Sequence, residues 1–169
     1  MDRTEAPAAC TRPQSRPSPV LLWVLAAAVL LRIVTAVMDR GGKAPGGGLV
    51  EWQSREKAAA LARSTGKPVL YDFTAAWCGP CKLLDRDWAD SDIAGRVNAS
   101  FVPARVVDRQ REDGRNPPEV AELMRRYEIS GFPTLVVAAA DGTLIGKLEG
   151  YRGRQALESF LEKPGAKLP

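Results

Sequence analysis

The feature that most constrains this chain is a pair of cysteines, Cys78 and Cys81, placed where a strand pattern gives way to a helix pattern. The preceding run, Val69–Thr74, is short, apolar and rich in strand formers, which is typical of a strand buried on both faces of a sheet. Leu84 and Trp88 then follow Cys81 at helical spacing. The pair is therefore predicted at a helix start, where a separation of two residues brings the sulfurs within disulfide distance.

A helix start also favours nucleophilic chemistry at Cys78. The helix dipole and the unpaired N–H groups of the first turn stabilise a thiolate there. Such a thiolate can attack a substrate disulfide to give a mixed disulfide, which Cys81 resolves by attacking Cys78. Pro80 fits the first helical turn, where its missing N–H donor is not needed.

The main alternative for the pair is one half of a structural zinc site. Such a site needs a second pair of cysteines or a pair of histidines, and the chain has three cysteines and no histidine. We therefore expect no metal. The absence of histidine also excludes serine–histidine and cysteine–histidine hydrolases.

The composition of the chain limits its size class and its partners. With 169 residues, of which 26% are charged and 45% hydrophobic, the chain supports one packed domain of ordinary size. Residues 51–169 carry 18 basic and 17 acidic side chains, so they lack the one-signed surface that binding to a phosphate backbone requires. A nucleic-acid partner is not expected.

The pattern beyond residue 48 predicts alternating strands and helices. The order of these segments predicts an α/β domain, with helices on both faces of a sheet that is mixed because its last strands form a hairpin. The predicted segments are a short edge strand at Leu49–Trp52, a helix capped by Ser54, a central strand at Val69–Thr74, the helix opened by Cys78, a strand at Phe101–Val107, a solvated polar loop at Asp108–Pro118, a helix with Val120, Leu123, Met124 and Tyr127 on one face, a hairpin of Leu135–Ala139 and Thr143–Leu148 around Asp141 and Gly142, and a last helix that ends before Pro164.

The motif around the cysteines resembles that of the thioredoxin superfamily. Trp77–Lys82, reading WCGPCK, matches the signature of the superfamily, and Phe132–Pro133–Thr134 matches its cis-proline loop. The resemblance covers about residues 49–163 and implies a thioredoxin fold. The segment from Lys67 to Lys82 is also similar to the C-terminal domains of DsbD-type proteins and related membrane-tethered thioredoxins.

The resemblance implies a role for each matching residue. Cys78 matches the attacking cysteine and Cys81 the resolving one, and together they form the redox disulfide. Asp72 matches the buried carboxylate that accepts the proton of Cys81, with a pKa raised by desolvation; an acid at a wetted strand end is the alternative.

Three further residues match the substrate-binding part of the family. Pro133 matches the cis-proline, beside which the backbone of Phe132 would pair with the substrate chain; a trans turn proline is the alternative. Trp77 matches the tryptophan that flanks the motif, with simple packing as its alternative. Arg105 lies about where thioredoxins place a lysine beside the buried acid, but a solvated strand arginine fits the sequence equally well, and we leave it out of the predicted site.

The first 48 residues differ in composition from the rest of the chain. Residues 1–18 are rich in Pro, Ala, Ser and Arg and predict a disordered tail, in which Cys10 is expected to be a bystander. Residues 19–38 would span about 30 Å as a helix and predict a transmembrane signal anchor, with Arg32 reaching the interface through its long stem. A cleaved signal peptide and a buried soluble helix are the alternatives. Residues 39–48 predict a Gly-rich linker and residues 164–169 a C-terminal tail.

The dipeptide Gly79–Pro80 is that of the reducing members of the superfamily. The resemblance thus implies a membrane-tethered protein-disulfide reductase without a cofactor, acting as a monomer on protein disulfide substrates. It also implies a single-pass protein of a bacterial inner membrane, with its domain on the extracytoplasmic (periplasmic) side and a transmembrane electron donor of the DsbD or CcdA type. A disulfide oxidase or isomerase, and a tethered binding or assembly module without redox turnover, are the alternatives.

Overall fold

The computed structural model describes residues 49–165, together with Trp23 and Ala28, which are helical. The chain divides into two units between Arg40 and Gly41, and the helices and strands given below all belong to the second unit. The predicted tail, anchor and linker therefore lie outside the described residues, apart from those two positions. Within the described part of the chain, no helix is long and apolar enough to cross a bilayer.

Helices and strands follow each other in the predicted order, except that a helix at Ser91–Ser100, which the sequence pattern did not predict, follows the helix of the cysteine pair directly. Ser54 begins the first helix by accepting the N–H of Lys57, and Gly66, at a φ of 73°, ends it in the left-handed conformation that glycine adopts without a steric cost. In chain order the elements are α1 (Arg55–Thr65), β1 (Val69–Ala75), α2 (Gly79–Trp88), α3 (Ser91–Ser100), β2 (Val102–Asp108), α4 (Gln110–Asp113), α5 (Pro118–Arg126), β3 (Thr134–Ala138), β4 (Leu144–Glu149) and α6 (Arg154–Glu162).

The four strands form one mixed sheet in the order β2-β1-β3-β4. Strand β1 pairs in parallel with β2 and antiparallel with β3, and β3 and β4 form the predicted antiparallel hairpin. The strand that leads to the cysteine pair is therefore an interior strand, as expected. Pro103, which cannot donate to a ladder, lies in β2 at the edge of the sheet.

Two apolar cores cover the two faces of the sheet. Because side chains alternate along a strand, Leu70 of β1 points to one core and Tyr71 and Phe73 point to the other. The first core packs α2, α3 and α6 against the sheet, and the second packs α1 and α5 against the opposite face. Asp72 lies on the same face of the sheet as Leu70. It therefore faces the first core, which also contains Leu84 and Trp88 of α2.

Two sequence predictions about local structure were wrong. Leu49–Trp52 forms no strand. Val50 and Trp52 are both only 2% exposed and pack into the first core, and the isolated bridge in this region joins Gln53 to Ala104. The segment 108–118 is more than a solvated loop. Asp108 is buried and accepts a hydrogen bond from Asn116, and the short helix α4 lies between them.

Candidate active site

The two cysteines lie at the start of α2 and are joined by a disulfide bond. Cys78 is the N-cap residue, and its Sγ accepts the N–H of Cys81 at 3.1 Å. Pro80 occupies the first turn, and no acidic residue lies there. Cys78 and Cys81 are 2% and 3% exposed. A negative charge on the Cys78 sulfur would thus meet a hydrogen-bond donor and the positive end of the helix, with no carboxylate in the first turn to oppose it.

Asp72 lies in the middle of β1 and is 1% exposed. Its Oδ2 accepts hydrogen bonds from Nε1 of Trp88 at 3.2 Å and from Nε of Arg105 at 3.1 Å, whereas its buried Oδ1 has no hydrogen-bond partner among the described residues. Burial raises the pKa of Asp72 from 3.8 to about 6, although Arg105 and Trp88 act in the opposite direction. The carboxyl group can therefore exchange a proton near neutral pH, as the resemblance implies.

Arg105 completes this cluster, although the sequence alone fitted a solvated strand arginine equally well and left it out of the predicted site. Its guanidinium lies 3.0 Å from Asp72 and 2.7 Å from Asp85, and its side chain is only 6% exposed. It also lies over the ring of Trp52, 4.6 Å from the centroid. The signal that could have found it is the register of β1 and β2, which places Arg105 directly opposite Asp72.

The aromatic residues predicted beside the cysteines do lie there. The rings of Trp77 and Phe132 meet edge to face with centroids 5.8 Å apart, and Phe132 packs against the buried cluster of Ala75, Cys78 and Cys81. The Phe132–Pro133 peptide bond is cis, as the resemblance implies. Trp77 is 42% exposed and so leaves an aromatic surface at the edge of the site. The catalytic and binding roles of these residues stay predictions.

A second arginine at the site was not foreseen. The guanidinium of Arg111, in α4, lies 3.6 Å from the centroid of the Trp77 ring. No sequence motif marks this contact, because it depends on how the segment after β2 folds back toward the loop after β1. Among the described residues, those of this site included, no group of three or more acidic, cysteine or histidine residues could hold a metal ion.

Comparison with known proteins places the chain in a family. The model of the thioredoxin-like domain family matches residues 55–164, which is well over half of the sequence, and the chain therefore belongs to that family. It is 32% identical over 96 residues to mitochondrial thioredoxin of Bos taurus, covering 57% of this chain and 51% of that protein. The chain thus spans about half the length, or less, of the curated relatives that it matches.

Solved structures agree with this placement. A thioredoxin from Thermus thermophilus is 28% identical with a TM-score of 0.56, over 67% of this chain and 85% of that one. The oxidised DsbD C-terminal domain of Neisseria meningitidis is 26% identical with a TM-score of 0.50, over 64% of this chain and 91% of that one. The thioredoxin fold and the resemblance to the DsbD C-terminal domain, both expected from the sequence, are confirmed.

Proposed function

We propose that this chain is a membrane-tethered thiol–disulfide oxidoreductase that reduces protein disulfides through Cys78 and Cys81. The observation that carries the proposal is the position of the Cys78 sulfur, which caps α2 and accepts the N–H of Cys81. The buried Asp72, with a pKa near 6, and the cis peptide bond before Pro133 support the same chemistry. The relatives named thioredoxin are consistent with reduction as the direction.

The proposed reaction has two exchange steps. The thiolate of Cys78 attacks one sulfur of the substrate disulfide, and the other sulfur leaves and takes a proton from water. Cys81 then loses its proton to Asp72 while its sulfur attacks Cys78, which releases the second substrate sulfur for protonation. Two electrons have passed from the enzyme dithiol to the substrate, and the enzyme is left with the Cys78–Cys81 disulfide.

The first experiment measures the reduction of insulin disulfides by the full-length chain, with a small dithiol as the electron source. We expect turnover for the wild type, none for Cys78→Ser, and accumulation of a mixed disulfide for Cys81→Ser. Cys10→Ser is the matched control, because it removes the third cysteine outside the motif, and it should keep full activity. A wild-type chain that fails to reduce insulin would contradict the proposal.

The direction of the reaction is tested by the reduction potential of the Cys78–Cys81 pair in glutathione buffers. A reductase should lie near the potential of thioredoxin, about −270 mV, and an oxidase near that of DsbA, about −120 mV. We expect the first value. A value near the second would replace the reductase with the oxidase or isomerase alternative, while retention of cellular function by Cys78→Ala would favour a binding module without redox turnover.

The membrane attachment is a separate part of the proposal. It is supported by the apolar composition of residues 19–38, with a tail at 1–18 and a Gly-rich linker at 39–48 on either side. We propose that this segment anchors the domain on the periplasmic side of a bacterial inner membrane, where a donor of the DsbD or CcdA type would supply electrons. Alkaline phosphatase fused after Pro169 should be active in cells, and an inactive fusion would place the domain on the cytoplasmic side.

A further inference from the structure

The sheet brings the segment after β2 next to the cysteine loop. Strands β1 and β2 are parallel, and Ala75 at the end of β1 is paired with Asp108 at the end of β2. The two segments that leave these residues therefore start at the same edge of the sheet. Trp77 lies two residues beyond Ala75 and Arg111 three residues beyond Asp108, which is how their side chains come to meet.

The guanidinium of Arg111 lies over the ring of Trp77, and no described residue accepts a hydrogen bond from it. A guanidinium that lies over an aromatic face keeps its N–H donors directed outward in its own plane. There they can form a bidentate pair of hydrogen bonds with a carboxylate. Arg111 is exposed, and none of the described carboxylates lies within ion-pair distance of it. The contact with Trp77 holds the side chain in place, so a ligand that bound it would lose less side-chain entropy on binding.

The segment that carries Arg111 is fixed at both ends. Asn116 donates a hydrogen bond to the buried Asp108, and its own Oδ1 accepts the N–H of Arg109 at 2.7 Å. Arg109 in turn forms an ion pair with Asp113, one helical turn further on. These contacts join the two ends of the segment, and they therefore restrict the position of Arg111 relative to the sheet.

The charged side chains of α4 and of the first turn of α2 that have no ion-pair partner among the described residues leave a surplus of one positive charge. Of the two acids in α4, Asp113 forms an ion pair with Arg109. The other, Glu112, has no ion-pair partner among the described residues. On the positive side, Lys82, which follows Cys81 directly, has no acidic partner within 4 Å in the described part of the chain, and the same holds for Arg111 itself. An incoming chain with a carboxylate next to its cysteine would therefore be favoured over one with a cation.

We propose that Arg111 is a specificity-determining residue, which binds an aspartate or glutamate side chain adjacent to the reactive cysteine of a protein substrate. The proposal rests on the proposed reductase function, because it assigns to that reaction a preference for acidic surroundings of the substrate disulfide. The ring of Trp77 positions the guanidinium of Arg111, and the guanidinium favours substrates with a carboxylate beside the cysteine. Neither residue changes the chemistry at Cys78.

The experiment compares three disulfide-bonded peptides that differ at one position beside a cysteine, where they carry Glu, Gln or Lys. With the full-length wild-type chain we expect kcat/KM for the Glu peptide to exceed that for the Gln peptide roughly two- to fivefold, which is the effect of a partly exposed ion pair. The preference should shrink when ionic strength rises from about 0.01 M to about 0.15 M, because the Debye length falls from about 30 to about 8 Å.

The variants separate Arg111 from the general charge of the domain. Arg111→Gln should abolish the preference while still reducing the Gln peptide, and Arg111→Glu should reverse it in favour of the Lys peptide. Arg115→Gln is the matched control, since it removes the same charge from the same segment at a residue not stacked on Trp77, and it should keep the preference. Equal loss in both Gln variants, or no preference in the wild type, would overturn the proposal.

Failure of the proposed function would look different. If the wild-type chain reduced none of the three peptides, the reductase reaction itself would be refuted, whereas reduction of all three at one rate would refute only the role of Arg111. A uniform loss of activity toward all peptides in Arg111→Gln would assign the residue a structural role in placing Trp77, which also contradicts the proposal.

Discussion

At the scale of single residues, the side chain of Asp72 lies in a buried environment that disfavours its ionised form. The carboxyl group is almost completely buried in the first core, and one of its oxygens has no hydrogen-bond partner among the described residues. Arg105 and Trp88 stabilise the charged form but do not compensate for burial, since the pKa remains raised to about 6. Such a group binds a proton at a pH where an exposed aspartate is already ionised, which suits a transient proton acceptor.

Substitution of Asp72 by asparagine should remove a pH dependence of stability. The native pKa of about 6 lies above the value of 3.8 for the free side chain, so the folded chain binds more protons than the unfolded chain between these pH values. The free energy of unfolding of the oxidised wild type should therefore fall by up to about 3 kcal/mol as pH rises from about 4 to above 6. Urea unfolding of Asp72→Asn across this range should lack that fall.

The control for this prediction is Asp85→Asn, which removes the other carboxylate that contacts Arg105 but leaves Asp72 in place. Its stability should still fall with rising pH. Parallel curves for the wild type and Asp72→Asn between pH 4 and pH 7 would show that another group carries the dependence.

Substitution of Arg105 by methionine should raise the pKa of Asp72 further, because the arginine is the main group that lowers it. The free energy of unfolding should fall by about 3 kcal/mol at pH 8, where Asp72 would be left as a buried charge without its partner, and by less at pH 5, where the carboxyl group is protonated. Arg96→Met breaks an exposed pair with Glu162 and should cost less than about 1 kcal/mol at either pH. Equal losses for the two variants would contradict this assignment.

The sequence indicated Asp72 but left the surroundings of Arg105 open between the buried acid and solvent, for a physical reason. An acid inside an apolar strand pattern is costly enough to stand out on its own. An arginine in a neighbouring strand does not stand out, because its long stem lets it reach solvent from many positions. Only the register that pairs Asp72 with Arg105 decides between the two environments, and that register depends on the whole sheet.

At the scale of elements, the start of α2 sets the reactivity of Cys78. The helix has no acidic residue in its first turn, so the partial positive charge of its N-terminus remains available to a thiolate. The cysteine sulfur itself serves as the capping acceptor, a role that serine or aspartate usually fills. The same hydrogen bond thus caps the helix and would stabilise a thiolate at Cys78.

An acid introduced into that first turn should slow the nucleophile. Pro80→Glu would place a negative charge beside Cys78, and alkylation of the reduced chain by iodoacetamide at pH 7 should become roughly two- to tenfold slower than in Pro80→Gln. The Gln variant is the matched control, because it also removes the proline ring but adds no charge. Mass spectrometry of the modified cysteine measures the rate, and equal rates in the two variants would show that helix-end electrostatics do not govern this sulfur.

Most elements could be predicted from the sequence, and the two misassigned segments show where local pattern fails. The apolar run in β1, which is rich in strand formers, and the Asp141–Gly142 turn are local signals, and both were confirmed. In contrast, Trp52 looked like a strand residue, but it packs edge to face on Trp88 in the first core. The polar segment after β2 looked solvated because its ordering depends on the contact of Asn116 with the buried Asp108, eight residues earlier.

At the scale of the whole domain, the sheet separates Asp72 from half of the packing. The first core contains the buried side of α2, with Leu84 and Trp88, and it faces Asp72. The second core, on the opposite face, contains Val120 of α5 and the rings of Tyr71 and Phe73, and it meets the cysteine cluster through Phe132. A defect in the second core should therefore change stability without changing the surroundings of Asp72.

Two large-to-small substitutions test this separation. Leu84→Ala and Val120→Ala should each lower the free energy of unfolding by about 2–3 kcal/mol, since both side chains are only 3% exposed. Only Leu84→Ala should also shift the pH midpoint of mixed-disulfide resolution downward, because a cavity on the face of Asp72 admits water and relieves the desolvation that raises its pKa. Stopped-flow measurement of the resolution rate between pH 5 and pH 8, at a temperature well below thermal unfolding, gives the pH midpoint for each variant. An equal shift of this midpoint in Val120→Ala would show that the two faces of the sheet are coupled.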